Sequence, residues 1–384
     1  LFNFAFFNYS KYSLSLIGGV ILEKRVRRIF ENISKKPEVI IIKNAAMPFI
    51  DDNFFYVTGL THGIFEGSFA VIFPDGKIDL IVPRLEEETA KKSKADIFVY
   101  KDQSELNKIL KKSVSTYTNI GLNFRGISIR GFLKIKSLLS ECDFFDVSDS
   151  IEKTRLIKDE IEIDYIKKAC KIADIVAEKI PDIVREGIYE YELAAEIVYL
   201  MQKNGADKSA FETISSFGKN SAEPHYTHGD IKLKNGDFVL CDFGACLKKY
   251  NSDITRTFIF GKANGKQKEM YNVVLDAQKI AFNKIKSEVK ASIVHDAVHS
   301  FIEGTKFKGR FIHSTGHSLG IAVHDSNARF SSNSDIVLKE NMVFTVEPGV
   351  YVPGLGGVRI EDDVLVKRNE AEYLTKSTRD FIEI

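Results

Sequence analysis

Four carboxylates and a cluster of histidines in the second half of this 384-residue chain have the residue types and spacing for chemistry. Asp242 and Asp253 are 11 residues apart in DFGACLKKYNSDITRT, with Leu247–Lys248 at the midpoint. If FVLCDFG and SDITRTF pair as antiparallel strands about that midpoint, the two aspartates fall opposite each other, with Cβ atoms only ~4.5–5.5 Å apart. Carboxylates that close repel, so a cation is expected between them. Glu347 and Glu361 repeat the pattern in EPGVYVPGLGGVRIE, 14 apart and centred on Gly354 in the turn Pro353-Gly354-Leu355-Gly356. Any one of these acids is most simply a solvated charge on a strand face. Two hairpins, each presenting two facing acids inside apolar β runs, resist that explanation.

Histidine completes the set. A lone histidine is more often a hydrogen-bonded core residue than a ligand. Here His313, His317 and His324, three of the eight in the chain, fall within 12 residues in FIHSTGHSLGIAVHD, between the two acid pairs. Four carboxylates and one imidazole form an oxygen-rich set. It suits two hard or borderline divalent cations, such as Mn²⁺ or Co²⁺, better than a thiolate-type structural zinc. Carboxylates bridging two metals ~3.5–4 Å apart are the usual device for hydrolysis by a metal-bound hydroxide.

These residues need elements to hold them. From Val26 to about Ser150 the pattern is α/β. VRRIFENI reads as a short amphipathic helix, VIIIK (Val39–Lys43) as a buried strand, and SFAVIF-PDG-KIDLIVP as a hairpin turning at Pro74-Asp75-Gly76. Ile97–Tyr100 and Asn119–Phe124 read as further strands. This half shows no ligand constellation and reads as a scaffold or oligomerisation domain. Between Asp149 and Glu160 the composition turns charged and interrupted, which suggests a boundary. Helical periodicity follows over 160–184, with Ile163, Ile166, Ala169, Ile172 and Ala173 on one face. Residues 187–204, 266–285 and 292–304 read as three more helices. The chain is strand-rich after Gly236. The expected organisation is a 1–25 extension, an α/β domain over 26–150 and an α+β domain over 151–384.

Composition narrows the function classes. Lys and Arg number 54 against 53 Asp and Glu, a formal charge of +1, which argues against a nucleic-acid or polyanion binder. Four cysteines without CxxC spacing exclude a disulfide framework and a zinc ribbon, and fit a reducing cytoplasm. Residues 1–22 hold an uncharged run of only 11 residues after Lys11, against the ~20 of a membrane span. They lack a signal-peptide cleavage pattern. The expectation is an over-extended gene start, with LEKRVRRIF as the true beginning, and no membrane association.

With these motifs in order, the sequence resembles the metal-dependent aminopeptidase and proline-dipeptidase superfamily, whose catalytic domain is the pita-bread fold. It is most similar to the branch with an added N-terminal domain, the Xaa-Pro aminopeptidases and Xaa-Pro dipeptidases (prolidases). The motifs are DFGACLKKYNSDITRT, HSTGHSLGIAVHD, TVEPGVY and GGVRIEDDVLV, with NSAEPHY and RLIKDEIEI upstream. DDNFFYVTGL and VIFPDGKIDLIVPR resemble the N-terminal domain. The resemblance spans roughly 26–380.

It implies two divalent ions, Mn or Co ahead of Zn or Fe, with Asp242 a terminal ligand of one and His317 and Glu347 of the other. Asp253 and Glu361 would bridge. A bridging hydroxide would attack the scissile carbonyl, with Glu347 shuttling protons. His225 and His324 would stabilise the oxyanion or hold the substrate, alongside His313. Arg359, two residues before Glu361, would pair with a ligand carboxylate, and Thr255 would support the ligands with it. The implied substrates are small peptides with proline second, cleaved by an exopeptidase that is a cytoplasmic homodimer.

Two departures bear on specificity. Prolidases of this type usually carry an Arg a few residues after the second histidine, able to take a dipeptide carboxylate. Here HDSNARF puts Arg329 five after His324, so dipeptidase and aminopeptidase both stay open, with a lean to the first. Asp325 stands where Glu is common, and a minor effect is expected. The intact ligand set disfavours both a creatine-amidinohydrolase-like enzyme and an inactive peptide-binding relative. The N-terminal domain disfavours a methionine aminopeptidase.

Other signals are discounted. HDAVH (His295–His299) has zinc-pair spacing but no zincin glutamate and no third ligand, and is expected to be two polar helix positions. Cys241 and Cys246 are expected to be small buried residues, and His228 to be exposed. His62 has no motif around it, and the lysine pairs, including Lys35-Lys36, read as solvated faces.

Overall fold

The computed structural model describes residues 11–35 and 37–384, with side chains from Gly19 onward. Residues 1–10 of the expected extension, the side chains of 11–18, and Lys36 lie outside the described residues.

The chain divides into two compact units between Thr154 and Arg155. The charged stretch after Asp149 is not an interrupted linker: Ser148–Leu156 is a helix. Ile151 is fully buried, while Asp149 and Glu152 both pair with Arg125. The sequence signal for a break was the charged outer face of this helix.

In the first unit the helix Lys11–Glu31 is far longer than the expected VRRIFENI segment. Leu22, Val26, Ile29, Phe30 and Ile33 recur at helical spacing and are all buried. A six-stranded mixed sheet follows, in the order Asp96–Tyr100, Ile78–Pro83, Phe69–Ile72, Val39–Lys43, Asn119–Leu122, Asp143–Asp146. The hairpin at Pro74-Asp75-Gly76 forms as expected, with Ile72 opposite Ile78 and Gly76 at φ +97°. The strand Asp143–Asp146 was not expected. It is an edge strand flanked by aspartates, DFFD, with neither end buried, so its apolar signal is only two residues long.

The second unit uses one device twice. Helices Glu160–Ile183 and Glu190–Lys203 bury Ile172, Ala173, Val176, Leu193 and Ile197 against the strands Phe238–Phe243 and Ile254–Ile259. Helices Gly265–Lys284 and Ala291–Glu303 bury Met270, Val274, Ala277, Val294 and Val298 against the strands Val343–Val346, Gly349–Val352, Gly356–Arg359 and Asp362–Val366. Helix 160–183 begins at a reciprocal cap in which Asp159 accepts from the Glu162 amide and Glu162 from that of Asp159, an arrangement typically worth ~1 kcal/mol. Ile163, expected on its inner face, is only half buried. Among the described residues no helix is long and apolar enough to cross a membrane.

Candidate metal centre

Each carboxylate pair sits on one antiparallel hairpin. In the first, Thr255 stands opposite Asp242 and Ile254 opposite Phe243. The turn is Lys248-Lys249, both at positive φ (54° and 74°), flanked by the pair Leu247 and Tyr250. This left-handed two-residue turn closes the hairpin one residue later than its midpoint suggests. The partner of Asp242 therefore shifts by two, from Asp253 to Thr255. A shift of two keeps every side chain on its face, so the aspartates are diagonal neighbours rather than direct partners.

In the second hairpin one register runs throughout. Val343 pairs with Leu365 and Val346 with Asp362, then Gly349 with Arg359 and Val352 with Gly356. Glu347 and Glu361 fall opposite each other in the gap between the two ladders, as their spacing about Gly354 requires. Their amides leave the ladder there. Glu361 N–H donates to Thr255 O at 3.1 Å on the first hairpin, and Glu347 N–H to Thr315 O at 2.9 Å beside the histidine strand. Three segments are thus stitched together at the ligand positions.

His317 belongs to the third segment. Gly316–His317 pairs with Arg329–Phe330, placing His317 opposite Arg329. His317 N–H donates to Thr345 Oγ1 at 3.1 Å. Gly316 permits this approach, since a Cβ there would lie 2.0 Å from Thr345 O.

Ligand-capable atoms of Asp253, His317 and Glu361, all buried, lie within 4.8 Å of one another. His317 Nε2 is 3.6 Å from Asp253 Oδ2 and 3.5 Å from Glu347 Oε1. Its Nδ1 lies 3.3 Å from Ser318 O, which fixes the proton there and turns a bare Nε2 lone pair toward the acids. Burial lowers the His317 pKa to about 4, so this ring is neutral. Burial first, and neighbouring acids second, push Asp253 and Glu361 well above the carboxylate range. Glu347 is raised by burial. Asp242 Oδ1 is buried without a hydrogen-bond partner. Lone pairs face lone pairs, and a divalent cation satisfies all of them. The set fits a metal.

The groups behind the acids are hydrogen-bonded to them and to one another. The Arg359 guanidinium donates to Asp242 Oδ2 at 2.6 Å, Thr255 Oγ1 at 3.0 Å and Tyr351 Oη at 2.8 Å. Thr255 Oγ1 donates to Glu361 Oε2 at 2.6 Å, and Thr345 Oγ1 to Glu347 Oε1 at 3.0 Å. His313 bonds Ser314 O at 2.7 Å through Nδ1 and Tyr351 Oη at 2.9 Å through Nε2. Asp363, beneath the cluster, accepts from the Asp253 amide at 2.9 Å and the Cys170 thiol at 3.2 Å.

Asp242, Asp253, His317, Glu347 and Glu361, with His313 and Arg359, open into one cavity of about 1230 Å³, also lined by His225, His324, Arg329, Phe211 and Pro224 and extending along Ser331–Ile336. His225, His324 and Arg329 are exposed in it. His324 packs edge-on to His317, ring centroids 4.3 Å apart. All eleven expected site residues are thereby found in the cavity wall or hydrogen-bonded to it.

Several neighbours escaped sequence reasoning. Asp325 is buried, 2.5 Å from Arg155 and 3.0 Å from Lys158, and accepts from the Ala322 amide at 3.1 Å. These cations are ~170 residues away in sequence, so no local signal points to them. His295 is buried and bonded to Thr315 Oγ1 at 3.0 Å, not merely a polar helix position. His228 is half buried against Thr213 O at 3.2 Å rather than exposed. Cys241 and Cys246 are buried, as expected.

Fold and site define a metal-dependent hydrolase built from two units. Residues 164–368 match the profile of metallopeptidase family M24, and residues 34–157 that of the creatinase/prolidase N-terminal domain. The chain is 40% identical over 331 residues to an Xaa-Pro dipeptidase of Pyrococcus furiosus, covering 86% of this chain and 92% of that one. The prolidase structure from Pyrococcus horikoshii superposes with a TM-score of 0.84 at 35% identity, over 94% of this chain and 100% of that one. An X-Pro aminopeptidase structure from Thermotoga maritima gives 0.86 at 31%, over 93% and 99%. The chain belongs to metallopeptidase family M24, in its two-domain pita-bread form. It is a hydrolase.

Proposed function

We propose that this chain is an Xaa-Pro dipeptidase that uses two divalent metal ions, Mn or Co ahead of Zn or Fe, to cut between an N-terminal residue and proline. The observation that carries the reading is a single cavity holding the acid–histidine cluster and the exposed guanidinium of Arg329, set across from His317. The names of the P. furiosus and P. horikoshii relatives support it.

Asp242, Asp253, His317, Glu347 and Glu361 would hold the two ions. When bound, these supply an activated water as nucleophile and polarise the scissile carbonyl. The chain's own residues do the rest. Glu347 is the least buried of the four acids and faces the cavity, placed to take and return the proton. Its Oε1 is held by Thr345, which leaves Oε2 for transfer. His324 has a pKa lowered by burial first and by neighbouring His317 and Arg329 next, which favours the neutral ring with one N–H for the oxyanion. His225 lines the same cavity. His313 has both nitrogens engaged and shapes the wall. Arg329 would take the free carboxylate of the dipeptide. Proline in second place makes the scissile bond a tertiary amide without N–H, which a site for ordinary extended backbone grips poorly.

Hydrolysis of Ala-Pro beside Ala-Pro-Ala, on chelator-stripped protein with Mn²⁺, Co²⁺ or Zn²⁺ restored singly, tests this. Cleavage confined to the dipeptide is expected. Release of the first residue from the longer peptide supports the second reading, an Xaa-Pro aminopeptidase, which the cavity's extension along Ser331–Ile336 favours. No cleavage with any metal would leave a peptide-binding relative. A cytoplasmic location and a homodimer form part of the same proposal, checked by fractionation and sedimentation.

A further inference from the structure

Glu190 is a wholly buried carboxylate, remote in sequence from every ligand, yet four donors converge on it. Its Oε1 accepts from Phe217 N at 2.7 Å and Asn220 Nδ2 at 3.0 Å. Its Oε2 accepts from Tyr226 Oη at 2.9 Å and Gly229 N at 3.0 Å. All four donors belong to residues 217–229, the loop that carries Pro224 and His225 into the cavity. Glu190 also opens the helix Glu190–Lys203, where the helix dipole favours a negative charge. The far side of the loop rests on the second ligand hairpin. Ser221 Oγ accepts from Gly357 N at 2.8 Å, and a Cβ on Gly357 would meet Ser221 O at 1.9 Å.

We infer that Glu190 is a positioning residue that sets the place of His225 relative to the second ligand hairpin. The inference rests on the substrate-side role of His225 in the proposed function. A carboxylate is required because all four partners are donors. Glutamine offers one acceptor oxygen and turns an NH₂ toward donors on the other side. The ends of the loop are tied independently of Glu190, Ser215 N to Thr227 O at 2.6 Å and His228 Nδ1 to Thr213 O at 3.2 Å.

The test combines kinetics with hydrogen exchange on the metal-loaded full chain. Glu190→Gln is expected to lower kcat/KM for Ala-Pro at least ~10-fold with metal content unchanged, but less than ~2-fold when added to His225→Ala. Exchange over 214–230 should accelerate at least ~10-fold. Tyr226→Phe removes one of the four bonds and should give a smaller loss, likewise absorbed by His225→Ala, should Glu190→Gln fail to fold. An undiminished loss in the His225→Ala background, or unchanged exchange in the loop, overturns the inference. Wild-type protein inert on every Xaa-Pro peptide is instead the failure of the proposed function. The exchange arm still decides whether Glu190 sets the loop.

Discussion

Glu347 and Glu361 face each other across a hairpin whose register is continuous from Val343–Leu365 to Val352–Gly356, and both amides leave the ladder at that point. The sheet stops bonding to itself where the ligands sit, and its free amides join the hairpin to its two neighbours. If Glu347 and Glu361 are ligands, as proposed, losing one would cost metal without costing the strand. Glu361→Ala should lower metal affinity and kcat/KM by at least ~100-fold, with the fold retained by circular dichroism. Metal content by mass spectrometry and Ala-Pro turnover read the two effects.

Stripping the metal should make stability pH-sensitive in a definite direction. Burial, then mutual repulsion, raises the pKa of Asp253 and Glu361 in the folded metal-free protein, and burial raises Glu347. The unfolded chain releases these protons near pH ~4. Between that value and the raised folded values the folded state binds more protons, so stability falls as pH rises through this window. Bound cations replace the protons and reverse the trend. Thermal melts from pH 7 to 8, above the range in which the lowered pKa of buried His317 adds an opposing slope, should show a Tm that declines with pH without metal, and a metal-induced gain that grows with pH. A metal-free Tm that rises over this window would contradict the electrostatics.

Under the proposed function, Arg329 would separate dipeptides from longer substrates. It is exposed, lines the cavity and stands opposite His317. A charge-assisted bond to a substrate carboxylate is worth ~1.5–3 kcal/mol. Arg329→Ala should raise KM for Ala-Pro roughly 10–100-fold and leave Ala-Pro-Ala nearly unchanged. Equal losses on both peptides would take the carboxylate away from Arg329.

Asp325 should matter far more than its place in the motif suggests. It is buried against Arg155 and Lys158, whose attraction outweighs burial and holds its carboxyl below the usual range. Asp325→Asn removes the carboxylate charge that buried Lys158 and Arg155 face, and breaking a buried pair typically costs ~3–5 kcal/mol. The contribution is present above the unfolded value of ~4 and is lost as pH falls through the depressed folded value. The wild-type advantage in Tm over Asp325→Asn should therefore be full at pH 7 and shrink as the pH falls below ~4. An advantage independent of pH would assign the effect to packing.

The sequence alone carried what is local and periodic. Strand alternation and turn residues gave the second ligand hairpin its register, because Pro353 to Gly356 admits one turn and a period of two then fixes every facing pair. Helical periodicity likewise located the four helices of the second unit to within a few residues. The motif order supplied the candidate ligands. The first hairpin went astray by one residue because Lys248-Lys249 takes a left-handed turn that its side chains do not advertise.

What sequence could not carry was set by distance along the chain. Asp325 meets Arg155 and Lys158, Thr255 meets Glu361, and Glu190 gathers a loop ~30 residues downstream. Each pairing joins segments whose own patterns are satisfied without it. Burial of a charge is decided only when the core closes around it, and that closure chooses which donors and cations must answer it.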